Sequence, residues 1–384
     1  MKSPICDMLG IEFPLIAFTH CRDVVVEVSK AGGMGVLGAA PMRLDEFKAS
    51  LDWIDDHIDG KPYGVDLIVP NAYVGKSDGD DGGAAKAKRP EIDSSAQRQF
   101  VRDVLTAHDI DVSDITDERM QRKPRLAKNA DKEGASTILD IAFSHPIKLI
   151  ANALGVPPAY MMERAKAEGV PVAALVGTKE HAIAQAKVGV DILVAAGGEA
   201  GGHCGEISTL VLIPEVYRAI KPYGDIPILA AGGIVTGSQM AACMAMGAAG
   251  AWTGSVWLTT SEAETMSVAK EKMLAATSSD TVRSRCRTGK PSRQLKSAWT
   301  DAWEAEGAPE ALPMPLQISV SEIAMDKVAK LAEGGHEGAI KLTSYWVGQG
   351  VGMMNEETSA RQVMYDFMED FIEASERLGG FTSE

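Results

Sequence analysis

The sequence predicts a (β/α)8 TIM barrel with a long insertion after the third strand and a C-terminal helical cap. Two observations predict it. Short apolar runs alternate with stretches of helical spacing in eight successive units, the number a closed barrel requires. From Asp191 to Thr260 each apolar run ends in glycines, and each glycine loop opens a helix, as at the C-terminal face of such barrels.

Phe13 to Ala17 reads as the first strand and Val24 to Lys30 as the helix after it. Gly33-x-Gly35-x-x-Gly38 matches the dinucleotide fingerprint as a string. It follows a helix and runs into extended sequence ending at Pro41, so Gly35 to Gly38 is read as the second strand. Leu44, Phe47, Leu51, Ile54 and Ile58 have the spacing of a half-buried helix. Gly64 to Pro70 is the third strand, echoed by Gly189 to Val194 in the manner of a repeated unit.

The composition changes from Gly75 to Ser136. Lys76 to Gly83 is turn-like, Ser94 to Ala107 has the pattern of a helix, and Asp109 to Glu133 is rich in charges of both signs. A connection this long is functional or disordered. It leaves the barrel on the active-site side, so a lid over the substrate is one reading; a solvated excursion or an oligomer contact is the reading preferred.

Alternation resumes with a helix near Thr137 to Ser144, strand Lys148 to Ala151, helix Ala159 to Glu168, strand Val172 to Leu175 and helix Lys179 to Val188. Three further strands follow: Asp191 to Ala196, Ile226 to Ala231, and Ala251 to Ser255. The helices between them are Thr209 to Ile220 and Gly237 to Gly247. The tail is read as irregular from Ser278, with a final helix from Ala360 to Leu378. Residues 1–277 are thus assigned to the barrel, including the 75–136 insertion, and 278–384 to a cap packed on it.

A net charge of −15 opposes generic binding to nucleic acid or anionic membrane, since both need a cationic footprint. Five scattered cysteines without a C-x-x-C pair suggest neither a disulfide framework nor a metal site. With no signal-like N-terminus and no apolar run of spanning length, a cytoplasmic location is expected.

Glycine lets backbone approach a phosphate closely, and a helix N-terminus adds N–H donors and partial positive charge. No lysine or arginine occurs between Asp191 and Leu210 or between Ile226 and Thr260, so the expected phosphate contacts are backbone at Gly233, Gly254 and Ser255. His203, among glycines at a strand's C-terminal end, is the candidate acid/base because imidazole titrates near neutrality. The competing reading is a histidine that caps the helix beginning near Thr209. His20 is the only other candidate histidine; Cys204 is read as a packed neighbour, and Glu199 as a group fixing the loop or the imidazole.

Glu199-Ala-Gly-Gly-His203-x-Gly205, Ala231-Gly-Gly-Ile234 and Thr253-Gly254-Ser255, with Leu9 to Leu15 and Lys30 to Gly38, resemble the FMN-dependent nitronate monooxygenases, once called 2-nitropropane dioxygenases. That family shares its fold and His motif with flavin-type enoyl-ACP reductases. The resemblance covers most of residues 5–75 and 140–300. It implies FMN as cofactor, contacted at Ala17, Phe18, Asp66, Gly201, Gly202, Gly232, Gly233, Gly254 and Ser255, with His203 catalytic, no metal and a small-molecule substrate. Two positions depart from the pattern: Asp66 stands where the family usually has Asn, and Leu175 where some relatives place a flavin-contacting lysine. Three activities remain open. They are oxidation of alkyl nitronates with O2, NAD(P)H-dependent reduction of an enoyl thioester or quinone, and catalytically silent flavin binding. A homo-oligomer is also left open.

Overall fold

A computed structural model describes residues 1–40, 42–69, 92–122, 124, 132–153 and 155–381. The strands in chain order are β1 (Leu15–Thr19), β2 (Met34–Gly38), β3 (Tyr63–Leu67), β4 (Leu149–Asn152), β5 (Val172–Val176), β6 (Ile192–Ala196), β7 (Gly202–His203), β8 (Ile228–Ala231) and β9 (Gly250–Thr253). All but β7 form a closed parallel barrel, in which β9 returns to β1 with Leu15 opposite Ala251. This is the predicted (β/α)8 fold.

The strands are buried on both faces because helices cover the outside, which is why they read as continuous apolar runs without alternation. Ile16, Val36, Leu149, Ile192, Val194, Leu229 and Trp252 belong to one interior cluster. Ile5 and Leu9 of the N-terminal helix Pro4–Leu9 join that cluster and plug the barrel's N-terminal mouth. The open end is therefore the C-terminal one. Gly35 is a strand residue, as read: a Cβ there would lie 2.4 Å from the Val25 Cα, so glycine is what lets the preceding helix Arg22–Lys30 sit on β2.

The tail is ordered where the sequence suggested irregularity. β10 (Thr281–Ser284) and β11 (Ser292–Leu295) form a hairpin, and β11 also pairs with β7, setting Ser292 opposite His203. Helices Ala298–Glu304, Leu316–Glu333 and Glu337–Leu342 follow. The last helix, Ala360–Gly380, lies on helix Gly237–Ala245 so closely that a Cβ on Gly237 would meet the Phe367 carbonyl at 2.0 Å.

The insertion's described part is no solvated excursion. Its helix Ser95–Thr106 and the chain to Met120 bury Val101, Leu105, Ile110, Ile115 and Met120 against Trp299, Trp303, Val320, Ala324 and Val328 in one apolar cluster. Residues 101–120 and 286–342 thus share a core of their own, and Met325 and Val328 of that cap face the barrel mouth. The turn-like Lys76 to Gly83 segment lies outside the described residues. Among the described residues, no helix is long and apolar enough to cross a membrane.

Candidate active site

A cavity of about 560 Å³ opens at the C-terminal ends of the barrel strands. Phe18 from β1, Asp66 from β3, Leu175 from β5, Ala196 from β6, Ala231 from β8 and Thr253 from β9 line its floor. Gly201, Gly202, His203, Gly232, Gly233, Gly254 and Ser255 line its sides, so the fold brings these sequence-predicted positions together. Ala17 is fully buried beneath Phe18 and is not part of the wall.

The glycine loops are as expected, but the helix N-termini are not free. Glu199 Oε2 accepts from the Thr209 N–H at 2.9 Å and its hydroxyl at 3.0 Å, closing the start of helix Thr209–Ile220. Asp370 Oδ2 accepts from the Ser238 N–H at 2.6 Å, while Gln239 Oε1 takes the Val235 and Thr236 N–H groups. Two internal carboxylates thus occupy positive helix ends that the sequence reading reserved for a phosphate. What remains for an anion is the loop backbone. Gly232 and Gly233 hold φ of +104° and +71°, a conformation that favours glycine. A Cβ on Gly254 would meet nothing nearer than Phe18 at 3.8 Å, so it would project into the cavity. The Ser255 hydroxyl accepts from the Gly348 N–H at 2.8 Å, so the tail braces this loop.

His203 does not cap the helix; Glu199 does. Its Nε2 lies 2.8 Å from the Thr288 Oγ1, whose hydroxyl is directed at the Lys290 carbonyl at 3.2 Å and which also accepts the Lys290 N–H. With the Thr288 hydroxyl proton on the Lys290 carbonyl, Nε2 is the donor to Oγ1 and the Nδ1 lone pair is the basic site. The residue stands at the exposed rim of the cavity. Surrounding protein, and then the Lys290 ammonium, push its pKa below the ordinary histidine value, so it is neutral at pH 7. His20 also lines the wall, with Nδ1 2.6 Å from the Gly38 carbonyl and a pKa lowered by burial.

Asp66 is 3% exposed, with Oδ1 lacking any partner. Burial raises its pKa to about 7, so near neutrality a substantial fraction is the neutral acid, which can donate a hydrogen bond as an amide would. The substitution for the family's usual Asn thus need not remove the donor at this position. The Cys204 thiol, pushed up by burial, donates to the Gly198 carbonyl at 3.6 Å and packs beneath the loop. Elsewhere Cys21, Asp23 and Glu264 gather one sulfur and two carboxylates within 4.8 Å, but burial raises the thiol's pKa and it donates to the Glu262 carbonyl, which makes it a poor metal ligand.

Sequence reasoning missed the wall that the cap supplies: Arg287, Thr288 beside it, Met325 and Val328 of helix Leu316–Glu333, and Trp346. The signal for the helix was present, since Val320, Ala324, Val328 and Ala332 recur every four residues and are buried. Nothing local to Arg287 or Trp346 points to the barrel mouth.

The model of the nitronate monooxygenase family matches residues 2–370. The chain belongs to the nitronate monooxygenase family. It is 46% identical over 380 residues, 99% of each chain, to a Mycobacterium tuberculosis protein assigned as a monooxygenase. It is 25% identical over 309 residues to another protein of that organism, named as an octahydro-indene carboxyl-CoA dehydrogenase, covering 79% of this chain and 69% of the other. Its fold matches the structure of a nitroalkane oxidase from Streptomyces ansochromogenes with a TM-score of 0.76 at 22% identity, over 97% of this chain and 99% of that one. Like its family, this nitronate monooxygenase family member is a flavin-dependent oxidoreductase.

Proposed function

We propose that the protein holds FMN in the barrel mouth and oxidises alkyl nitronates with molecular oxygen, His203 serving as acid/base. The observation that carries this is the imidazole at the rim of a largely apolar cavity, with its Nε2 held 2.8 Å from the Thr288 hydroxyl. The cavity's size suits a cofactor together with a small substrate. Backbone at Gly232, Gly233, Gly254 and Ser255 would hold the phosphate, and Phe18, Asp66 and Leu175 would lie along the ring system. Bound there, FMN supplies electron transfer from the nitronate to oxygen.

The chain's own residues prepare the substrate. For a neutral nitroalkane, Nδ1 of His203 takes the proton from the carbon beside the nitro group, and Thr288 holds the ring in the tautomer that can accept it.

A second reading is reduction of an enoyl thioester or quinone with NAD(P)H as donor and His203 as proton source. The carboxyl-CoA dehydrogenase among the relatives favours it. Anaerobic stopped-flow mixing separates the two. Bleaching of the bound flavin by propyl-2-nitronate, with NADH and NADPH slow, is the expected result. Rapid bleaching by NAD(P)H alone would replace the first reading with the second, and bleaching by neither would leave a silent flavin-binding protein.

A further inference from the structure

Arg287 is a cation in the cavity wall that the proton transfer to His203 does not itself engage. It lies in the turn between β10 and β11, half-buried, next to the Thr288 that holds His203. Its Nη2 donates to the Ser344 carbonyl at 3.1 Å and to the Met325 sulfur at 3.6 Å, and its guanidinium carbon lies 5.1 Å from the Trp346 ring centre. Its Nε is enclosed without an acceptor. No carboxylate among the described residues contributes to its electrostatic environment, although the chain has 53 acidic residues against 38 basic ones. Asp326 lines the same cavity but is not among the groups that shift Arg287, and the neighbouring Cys286 and Tyr345 side chains, their pKa values raised by burial, are uncharged near neutrality.

A guanidinium cannot shed its charge, and withdrawing it from water without a counter-anion is costly. A carbonyl and an indole face offset only part of that cost. The imidazole of His203 lies 6.2 Å from the same Trp346 ring, so the base and the cation flank one aromatic side chain.

We propose that Arg287 is the anion subsite of this cavity, receiving a planar, delocalised two-oxygen head group, a nitronate or a carboxylate, beside His203. The inference rests on the cavity being the substrate site of the flavin enzyme proposed above. When His203 takes the carbon-bound proton of a nitroalkane, the electron pair of the broken C–H bond moves onto the nitro oxygens, and Arg287 meets the charge that forms there. The same contact selects substrates that already carry such a group.

The test uses the flavoprotein as purified, titrated with isobutyrate and with its uncharged amide, isobutyramide, and read from the visible absorbance of the bound flavin. Arg287→Met and Arg287→Lys are compared with the wild type, and propyl-2-nitronate turnover is measured in parallel. Isobutyrate should bind the wild type at least about tenfold more tightly than the amide, as a charge-assisted hydrogen bond implies. Arg287→Met should abolish that preference without changing amide affinity or flavin content, and Arg287→Lys should retain part of it. A wild type that binds acid and amide equally, or not the acid at all, overturns the proposal even if Arg287→Met does not fold. So does an Arg287→Met protein whose isobutyrate affinity stays within about twofold of wild type. Arg287-dependent carboxylate binding without nitronate turnover would remove the monooxygenase reading alone. Nitronate turnover without any preference for the carboxylate would remove the anion subsite alone.

Discussion

Replacing Asp66 by Asn should stabilise the protein, and by an amount that depends on pH. The side chain is 3% exposed with Oδ1 unpartnered, and its pKa rises from 3.8 to about 7 because burial penalises the charged form. The folded state therefore holds a proton at Asp66 that the unfolded state has released across the window between those values. Stability falls as pH rises through that window, by about 1.4 kcal/mol per pH unit, and levels off above the folded pKa. Between pH 4.5 and pH 8 this amounts to about 3 kcal/mol, an upper figure because the site can relax around the charge. An amide of nearly the same shape carries no such penalty. Urea unfolding of wild type and Asp66→Asn at the two pH values, with flavin content matched, measures it. The advantage of the variant should be small at pH 4.5 and about 3 kcal/mol at pH 8. An advantage that does not grow with pH would refute the reasoning and mean that Asp66 has a partner for its charge.

Three further outcomes follow from named contacts. Gly254→Val should lose flavin while matching the flavin-free wild type in thermal stability, because a Cβ there meets nothing nearer than Phe18; full flavin content would place the phosphate elsewhere. Gly233→Val is a poorer probe, since φ of +71° and a Glu199 Cβ 2.9 Å away would destabilise the protein whatever the loop binds. Leu105→Ala should cost about 2–5 kcal/mol in urea unfolding, because the insertion helix shares a core with the cap; a cost under about 1 kcal/mol would return the insertion to the status of a dispensable excursion. With a neutral nitroalkane, kcat/KM should fall on the acid side with a midpoint below about 6.5, because the lowered pKa of His203 keeps the base form down to that region; a midpoint well above it would point to another group.

The barrel was legible because its strands are buried on both faces, so runs such as Ile192–Ala196 stand out without any partner being known. Helices Ala159–Glu168, Lys179–Val188 and Thr209–Ile220 begin and end where their spacing and flanking residues predict. The glycine loops and His203 were legible for the same local reason. A C-terminal cap was read from the sequence, but the core it shares with the insertion was not, because that core joins residues 101–120 to residues 286–342 and neither half shows which surface it will cover. The free helix N-termini were a local inference defeated at long range, since the carboxylate on Ser238 comes from Asp370, 132 residues away. Thr288 escaped notice because the β7–β11 pairing that brings it to His203 involves a strand of only two residues.

His203→Asn isolates the proton transfer when one variant is given both forms of one substrate. Asparagine keeps a polar side chain of similar bulk but no base that titrates near neutrality. Flavin content should persist, because the backbone loops hold the cofactor in this account. Turnover of neutral 2-nitropropane should fall by about 10²- to 10⁴-fold, the usual contribution of a general base. Turnover of the preformed propyl-2-nitronate, which has already lost that proton, should fall far less. Equal losses for the two forms, or no loss for either, would contradict proton transfer by His203 and move attention to His20.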